Sequence, residues 1–390
     1  MMAAEYGVLH DETQARAMSQ LVAQCFLAKP EDCDEYLDRI GRDRFRILSD
    51  GSQVRGGLAL LPMAQWWHGN LVPMTGIAAV GVAPEYRGSG TAIALIRHML
   101  RELYDQQTPL SVLYPATQRL YRKAGYEQAG SQCRWEVPLA QIHIQERSLP
   151  WFSLEPTAEI LTPLYRQKAQ IHNGHLDRAS AIWVEILRSK PEEMLHAYGV
   201  GAPDSPQGYL LFTQKDNPSG ATLHVRDWVA LTPAAGRSLW SFAANHRSQV
   251  HHLRVPGGLT DPLLLLLPEQ TARLASSISW MLRLVHVPRA LEQRGYPALL
   301  ETELHLEIRD EVLPENQGRF TLAIAHGSGT VTPGGSGALK IDIRGLSALY
   351  AGHATPYALH QIGLLDGDGE SLAIASQIFA TSPAWMPDFF

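Results

Sequence analysis

A buried strand followed by an amphipathic helix stands out in the first third of the chain. Residues 77–82 are uncharged and either small or β-branched, which is typical of a buried strand. Pro84 has no backbone N–H, so strand pairing is expected to stop there. Apolar residues then recur every three or four positions. This predicts a helix that begins within residues 88–92, with a buried face of Ile93, Ile96, Leu100 and Leu103.

A second strand and a short helix follow about thirty residues later. Residues 110–114 predict a buried strand, which Pro115 ends. Thr117 is suited to the N-cap of a short helix, and Gly125 to its left-handed C-terminal cap. The succession of strand, turn, helix, strand and helix is typical of an α/β domain.

The flanking segments complete a first domain over residues 1–140. Amphipathic periodicity predicts a helix over residues 11–28, which Pro30 ends, and a shorter helix over residues 34–40. Asp50-Gly51 supplies the turn chemistry of a β-hairpin. Strands are predicted over residues 45–48, 54–61, 71–82 and 132–137.

Two further domains are predicted, over residues 150–286 and 287–390. Residues 141–156 are mostly polar with two prolines, which predicts a linker. In the second domain the pattern predicts helices over residues 157–172, 179–188 and 233–246, and strands over 195–200, 208–214, 222–229, 249–254 and 279–285. In the third it predicts a helix after His286, strands over 302–309, 319–325 and 338–343, and short helices over 345–351 and 355–362.

Composition narrows the class of partner. The chain has 390 residues, 45% hydrophobic and 18% charged, and a net charge of -6. No basic excess exists to displace counterions, so nucleic acid is not an expected partner. Three cysteines, Cys25, Cys33 and Cys133, have no metal-ligand spacing, and neither a signal peptide nor a membrane span is recognisable. We therefore expect a cytoplasmic protein without a metal or a membrane partner.

The turn between the first strand and helix is a candidate anion site. Gly88 and Gly90 leave the amides of a helix N-terminus unobstructed, an arrangement suited to a pyrophosphate. The Walker pattern and the G-x-G-x-x-G pattern are both absent, whereas R-x-x-G-x-A runs from Arg87 to Ala92. An ordinary strand-turn-helix explains the hexapeptide equally well.

This loop resembles that of the GCN5-related N-acetyltransferase superfamily, whose members hold the pyrophosphate of acetyl-coenzyme A on it. The resemblance implies acetyl-coenzyme A as co-substrate. It also implies a set of coenzyme-binding residues: Val80, Gly81, Val82, Arg87, Gly88, Ser89, Gly90, Thr91, Ala92, Ile93, Ala116 and Thr117.

A second motif strengthens the resemblance. Residues 121–126 read Y-x-x-x-G-Y, and in the superfamily the first tyrosine of this run faces the coenzyme sulfur while the last packs in the core. The resemblance therefore implies Tyr121 as general acid and Tyr126 as a structural residue; a helix tyrosine with a solvated hydroxyl is the alternative. It also implies Phe26 and Tyr36, in the first two helices, as candidate contacts to the acceptor.

The second domain repeats the order of elements of the first but lacks R-x-x-G-x-[GA]. We expect a second acetyltransferase-like fold without a coenzyme site; an unrelated α/β domain is the alternative. In the third domain, residues 318–324 and 346–352 resemble a sterol-carrier-protein fold. The fold class is then α/β (α+β), with tandem acetyltransferase folds followed by a sterol-carrier-like domain.

The last eight residues are apolar and stiffened by proline to the end of the chain, which predicts a buried C-terminus. Three such domains and an aromatic C-terminal residue resemble the Eis (enhanced intracellular survival) family. The resemblance implies that the Phe390 carboxylate is the general base, with Asp388 as a nearby substrate-binding candidate. Because a free α-carboxyl has a pKa near ~3.5, burial would have to raise it.

The Eis resemblance also implies the acceptor and the assembly. Expected acceptors are primary amines of aminoglycosides, of polyamines or of protein lysines, and the expected assembly is a homo-hexamer. Direct acetyl transfer is expected, because no activated Cys or Ser is evident. The alternative is a non-catalytic lipid-binding or scaffolding protein in which the first domain is a relic.

Overall fold

The computed structural model describes residues 4–51, 53–189, 193–216 and 220–390. The strands of these residues, in chain order, are β1 Glu5–Val8, β2 Phe45–Asp50, β3 Gln53–Trp67, β4 Asn70–Val82, β5 Leu110–Leu113, β6 Glu127–Pro138, β7 Trp151–Ser153, β8 Leu195–Ala202, β9 Ser205–Lys215, β10 Thr222–Ala230, β11 His252–Gly257, β12 Arg273–Leu284, β13 Thr302–Arg309, β14 Gly318–Ala325, β15 Ser328–Pro333, β16 Leu339–Asp342 and β17 Leu365–Asp366. The α-helices are α1 Glu12–Phe26, α2 Pro30–Ile40, α3 Thr91–Asp105, α4 Gln118–Arg122, α5 Ala158–Ala169, α6 Ser180–Leu187, α7 Pro233–Ala244, α8 Val287–Gln293, α9 Ile343–Tyr350, α10 Pro356–Gln361 and α11 Gly369–Ile378.

The chain divides into two compact units. Unit 1 comprises the described residues up to Ala129, residues 280–381 and the terminal Phe390. Unit 2 comprises residues 130–279 and 382–389. Among the helices of the described ranges, none is both long and apolar enough to cross a membrane.

The first sheet of unit 1 has the strand order β1-β2-β3-β4-β5, and the C-terminal end of β12 pairs with β5. Strands β4 and β5 are parallel, whereas the other neighbours are antiparallel. Side chains alternate between the two faces, so Leu58 packs with α3 and Ala59 packs with α1. Helices therefore cover both faces of this sheet.

Strand β3 is longer than the sequence pattern predicts. The prediction ended at Leu61, the residue before Pro62. In the structure the pairing with β4 continues to Trp67, opposite Asn70. His68 and Gly69 both have positive φ angles, 49° and 84°, and close the hairpin as a two-residue turn.

A second sheet in unit 1 has the order β15-β14-β13-β16-β17. The predicted strands of this region are present, and three elements were missed: β15, β17 and α11. Strand β15 has no partner beyond β14 in this order and is mostly exposed, so it lacks the apolar face on which the prediction depended.

A buried polar network lies beside α4. Arg283 on β12 donates from Nε to the Ala124 carbonyl at 3.1 Å, and from Nη2 to Asp310 at 2.6 Å. Asn316 donates to the same carboxylate at 3.0 Å. Both members of the ion pair are fully buried, so removing either one would leave an uncompensated charge. The network thus fixes the turn that follows α4.

Unit 2 contains strands in the order β6-β11-β10-β9-β8-β7, with β10 and β11 parallel. Helix α7 packs on one face, where Leu239 and Trp240 meet Leu223 and Val255 in a hydrophobic core. The predicted helices and strands of residues 157–285 are present, with ends that differ by a few residues.

Two local predictions, the start of the second helix and the extent of the linker, are wrong. Pro30 was expected to end the first helix and the second to begin at residue 34, but Pro30 is the first residue of α2. Its fixed φ and missing N–H suit the first helical position. The predicted linker over residues 141–156 contains strand β7, whose Trp151 pairs with Val200 of β8.

Candidate active site

The loop between β4 and α3 presents a helix N-terminus without a side-chain cap. Gly88 and Gly90 have φ angles of 77° and 90°, a left-handed conformation that favours glycine. Gly90 is the N-cap residue, and the first helical hydrogen bond runs from the Ala94 amide to the Gly90 carbonyl at 3.0 Å. The amides of residues 91–93 therefore precede the helical ladder and are available to an anion.

Side chains of the loop brace it from within. The Ser89 hydroxyl donates to the Tyr86 carbonyl at 2.6 Å and lies 2.9 Å from the Thr91 hydroxyl. Arg87 donates from Nε to the Val82 carbonyl at 3.2 Å. These contacts hold the loop against the end of β4.

A cavity of about 400 Å³ opens at this loop. It is lined by Val82, Tyr86, Arg87, Gly88, Gly90, Thr91, Ala92, Ile93, Thr117, Arg119, Leu120 and Lys123. Eight of these are among the predicted coenzyme-binding residues, whereas Val80, Gly81, Ser89 and Ala116 do not line the cavity.

Sequence reasoning missed two of the three cations of the cavity wall, Arg119 and Lys123. Lys123 follows α4 directly, and the four-residue spacing places both side chains on one helical face. That spacing was the available signal, but the segment was interpreted only through its tyrosines.

Strand β4 carries a bulge where it leaves β5. Pairing with β3 joins Ala78 to Ala59 and Gly81 to Gly57, so two residues of β4, Ala79 and Val80, face one residue of β3. Ala79 has a φ of 50°, which is uncommon for a residue with a Cβ. The described pairing of β4 with β5 ends at Ile77 opposite Leu113. Beyond that point the two parallel strands part.

The terminal residue Phe390 lies at the last rungs before the strands part. Its ring centroid is 5.7 Å from that of Tyr114, with the rings inclined at 64°. A methyl group on Gly76 would lie 2.6 Å from Cε2 of Phe390, so the ring packs directly on the glycine. The C-terminus therefore lies in unit 1, beside the β4–β5 opening.

Tyr121 and Tyr126 lie on and just after α4, with ring centroids 5.9 Å apart. Thr117 is the N-cap residue of α4, although its side chain makes no capping bond, and Gly125 has a φ of 85° as predicted. The hydroxyls of Tyr126 and Ser111 are 2.6 Å apart. Burial raises the pKa of Tyr121 to about 12, so its hydroxyl keeps its proton at neutral pH.

The two predicted acceptor contacts differ in exposure. Phe26, the last residue of α1, is 54% exposed. Tyr36 is partly buried; its ring meets Phe45 edge-on at 6.2 Å, and the Arg39 guanidinium lies 5.6 Å from it. Burial raises the pKa of Tyr36. Tyr36 thus packs against the core, and Phe26 presents an open aromatic surface.

The segment before Phe390 is held in unit 2. The Ser131 amide donates to the Ala384 carbonyl at 3.3 Å, and the Met386 amide donates to the Ser131 carbonyl at 3.0 Å. Gln132 donates from its side chain to the Pro387 carbonyl at 3.0 Å. This part of the tail is thereby bonded to β6, as its apolar sequence predicts.

The Asp388 carboxylate is buried and paired. Arg178 donates from Nε to Asp388 at 2.9 Å and forms a 2.5 Å ion pair with Asp227. Tyr165 also donates to Asp388, at 3.4 Å. Burial raises the pKa of Asp388, and Arg178 opposes that shift. The side chain is therefore paired within an internal network, and its role as a substrate-binding residue stays a prediction.

In the described ranges, no group of three or more His, Cys, Asp or Glu side chains has the arrangement of a metal site.

The chain is similar to three known domain families. Residues 9–129 match an acetyltransferase (GNAT) domain, residues 174–284 match a second acetyltransferase (GNAT) domain, and residues 287–387 match a sterol carrier protein domain. These matches confirm the predicted tandem acetyltransferase folds followed by a sterol-carrier-like fold.

Relatives that match over most of their length support the same family. The chain is 27% identical over 349 residues to a Streptomyces griseus protein described as an uncharacterized N-acetyltransferase, and 25% identical over 354 residues to the N-acetyltransferase Eis of Mycobacterium tuberculosis. Each match covers 83% of both proteins. The crystal structure of a GCN5-related N-acetyltransferase from Anabaena variabilis has a TM-score of 0.96 and 48% identity over 99% of this chain and 100% of that one. The chain therefore belongs to the GCN5-related N-acetyltransferases, in the Eis-like form with two acetyltransferase domains and a sterol carrier protein domain.

Proposed function

We propose that this acetyltransferase moves the acetyl group of acetyl-coenzyme A directly to a primary amine of a cationic acceptor, with the Phe390 carboxylate as base and Tyr121 as acid. The observation that carries the proposal is the packing of Phe390 on Gly76 and Tyr114, at the end of the β4–β5 pairing. The coenzyme loop and Tyr121 belong to the same compact unit. A nucleophile activator, an anion site and an acid are thus available to one reaction.

The cavity beside the loop fits the coenzyme pyrophosphate. Its glycines would accept a Cβ without a clash, so the φ angle and not space requires them, and the amides of residues 91–93 lie at its edge. Arg119 and Lys123 add positive charge on the α4 side. When bound, acetyl-coenzyme A supplies the thioester whose acetyl group is transferred.

The backbone of residues 80–82 is assigned to polarise the thioester carbonyl. Strand β4 has lost its β5 partner at this level, and the bulge sets Ala79 and Val80 opposite a single residue of β3 before regular pairing resumes at Gly81. A preorganised amide aimed at developing negative charge is an effective electrostatic catalyst.

The base and the acid then act at the two ends of the transfer. The Phe390 carboxylate accepts the proton of the acceptor ammonium, and its negative charge attracts a cation beforehand. Tyr121 donates its hydroxyl proton to the departing sulfur. Its raised pKa keeps the hydroxyl protonated while negative charge develops on the sulfur, so Tyr121 can stabilise that charge by a hydrogen bond along which the proton moves to the sulfur.

The proposed acceptors are aminoglycosides, polyamines and protein lysines. Each offers a primary amine that is cationic at neutral pH, which suits a terminal carboxylate and a chain of net charge -6. Phe26, exposed at the end of α1, is the aromatic surface that we assign to acceptor contact, and Tyr36 holds α2 by packing against Phe45.

The anion site is tested by two nearly isosteric variants of Gly90. Asp and Asn tolerate the left-handed backbone about equally, so Gly90→Asp and Gly90→Asn carry the same strain but differ by one charge. By calorimetry, Asp should weaken acetyl-coenzyme A binding at least about tenfold more than Asn, since 1.4 kcal/mol of repulsion suffices for that factor. Equal affinity of the two variants would contradict a pyrophosphate site at this helix terminus.

The acid is tested by replacing each tyrosine with phenylalanine. Tyr121→Phe should lower kcat by about 10²–10⁴ while the affinity for acetyl-coenzyme A stays nearly constant. Because the Tyr121 pKa is raised to about 12, the parent enzyme should lose no activity through this group below about pH 11.

Tyr126→Phe is the matched control. It leaves the buried Ser111 hydroxyl without its partner, so it should lower the unfolding midpoint and leave kcat within about threefold. A large loss of kcat in Tyr126→Phe, with Tyr121→Phe near normal, would show that the proposal assigns the acid to the wrong tyrosine.

The base is tested at the chain end. Adding one glycine after Phe390 converts its carboxylate to a neutral amide and displaces the new carboxylate by about 3.5 Å. We expect at least about a 10²-fold loss of kcat, the scale of one general base, with coenzyme binding unchanged.

Phe390→Ala keeps the carboxylate and loses only the packing on Gly76 and Tyr114, so it should retain more activity than the glycine extension. Equal turnover by the parent and the glycine-extended enzyme would show that the base lies elsewhere.

A further inference from the structure

A second cavity, of about 410 Å³, lies on one face of the sheet in unit 2. Along β10 the side chains alternate, so Leu223 enters the hydrophobic core while His224 faces the cavity. The neighbouring strand repeats the pattern, with Leu253 in the core and Arg254 in the cavity wall. The cavity therefore lies on the face opposite to that core, and it is separate from the coenzyme loop, which belongs to unit 1.

Cationic groups dominate the cavity wall. Four positively charged side chains line it: Arg134, Lys215, Arg226 and Arg254. Glu193 pairs with Lys215 at 2.7 Å and with Arg226 at 2.9 Å, and Glu136 pairs with Arg254 at 2.7 Å. Among the described residues, four cations thus face two carboxylates. Three of the four are arginines, whose planar groups suit bidentate binding of oxyanions.

Two polar groups in the wall lack a partner within the described chain. Thr213 is fully buried, and its Oγ1 makes no hydrogen bond. The Nε2 atom of His224 is also buried and makes no hydrogen bond. Thr213, His224 and Arg254 are neighbours across β9, β10 and β11, so they form one row on the sheet. A buried hydroxyl without a partner is costly, and a ligand oxygen in the cavity would satisfy it.

The cations around this row also lower the pKa of His224. Burial, followed by the charges of Lys215 and Arg254, lowers the pKa of His224 to about 4. The imidazole is therefore neutral at pH 7 in a positive environment that favours a bound anion.

The arrangement of the cations indicates the kind of ligand. The cations form two groups, because Lys215 and Arg226 share Glu193, whereas Arg254 pairs with Glu136. Two groups of cations in one cavity suit two anionic groups on one ligand. We propose that this cavity binds a small organic molecule with two separated phosphate groups, a ligand site additional to the acetyl-transfer site.

The proposal is tested by calorimetry on the full chain in a buffer without phosphate, with coenzyme A present at saturation to occupy the other anion site. The probes are fructose 1,6-bisphosphate, inorganic orthophosphate and citrate. The bisphosphate should bind at least tenfold more tightly than orthophosphate, and citrate should bind more weakly than the bisphosphate. Equal binding of all three probes, or none by the bisphosphate at millimolar concentration, would overturn the proposal.

Three variants separate a built site from general attraction of anions. Arg254→Gln should weaken bisphosphate binding at least tenfold. Arg237→Gln, on α7 and paired with Glu146 outside the cavity, removes the same charge and should leave it unchanged. Thr213→Val removes only the unpartnered hydroxyl, so it should weaken binding at least threefold without lowering the thermal midpoint.

Equal weakening by Arg254→Gln and Arg237→Gln would reduce the effect to net charge and overturn the site. Parent-like affinity of Thr213→Val would equally contradict it. Because coenzyme A saturates the loop of unit 1 in every titration, a failure here leaves the acetyl-transfer proposal untouched, and a failure of that proposal leaves these titrations valid.

Discussion

The separation of strand β4 from β5 is the constraint on which the proposed acetyl-transfer site depends. The last described rung joins Ile77 to Leu113, and the bulge at Ala79 and Val80 follows within three residues. A strand that loses one partner exposes backbone groups that a regular sheet would satisfy. In a core this is costly, but beside a ligand the same groups become donors. The opening therefore costs stability unless something polar occupies it.

The surrounding elements each serve that opening in a different way. Gly88 and Gly90 turn the chain into the N-terminus of α3 and leave its amides uncapped. The buried Arg283–Asp310 pair fixes the turn after α4 through the Ala124 carbonyl, and α4 carries Tyr121. Phe390 packs on Gly76, where a Cβ atom would clash with both Met63 and Phe390. The site is thus built from backbone geometry as much as from reactive side chains.

Sequence reasoning found the parts of the site that repeat a local pattern. The strand before Pro84, the glycines of the loop and the Tyr121 motif depend on neighbouring residues and were predicted. The predicted burial of the tail holds for residues 384–388, whereas Phe389 is exposed. The bulge was not predicted, because Ala79 is as ordinary in sequence as the alanine before it, and only the pairing with β3 distinguishes them. The pairing of Asp388 was not predicted either, because its partner Arg178 is 210 residues away in sequence.

The cationic cavity of unit 2 illustrates the same limit. Its charges come from β6, β9, β10 and β11, and no window of sequence holds more than two of them. Strand order alone brings them together. The family relationship indicates the fold and the acetyltransferase activity of the chain, but it gives no information about this face of the sheet.

The central claim is that the acceptor amine meets the Phe390 carboxylate at the opened strands. A crystal structure of the enzyme with coenzyme A and an amine acceptor tests it most directly. We predict the pyrophosphate against the amides of residues 91–93, the sulfur beside the Tyr121 hydroxyl, and the acceptor nitrogen about 3 Å from a Phe390 carboxylate oxygen or joined to it by one water. An acceptor nitrogen in contact with a different base, and with the Phe390 carboxylate beyond the reach of one water, would contradict the account.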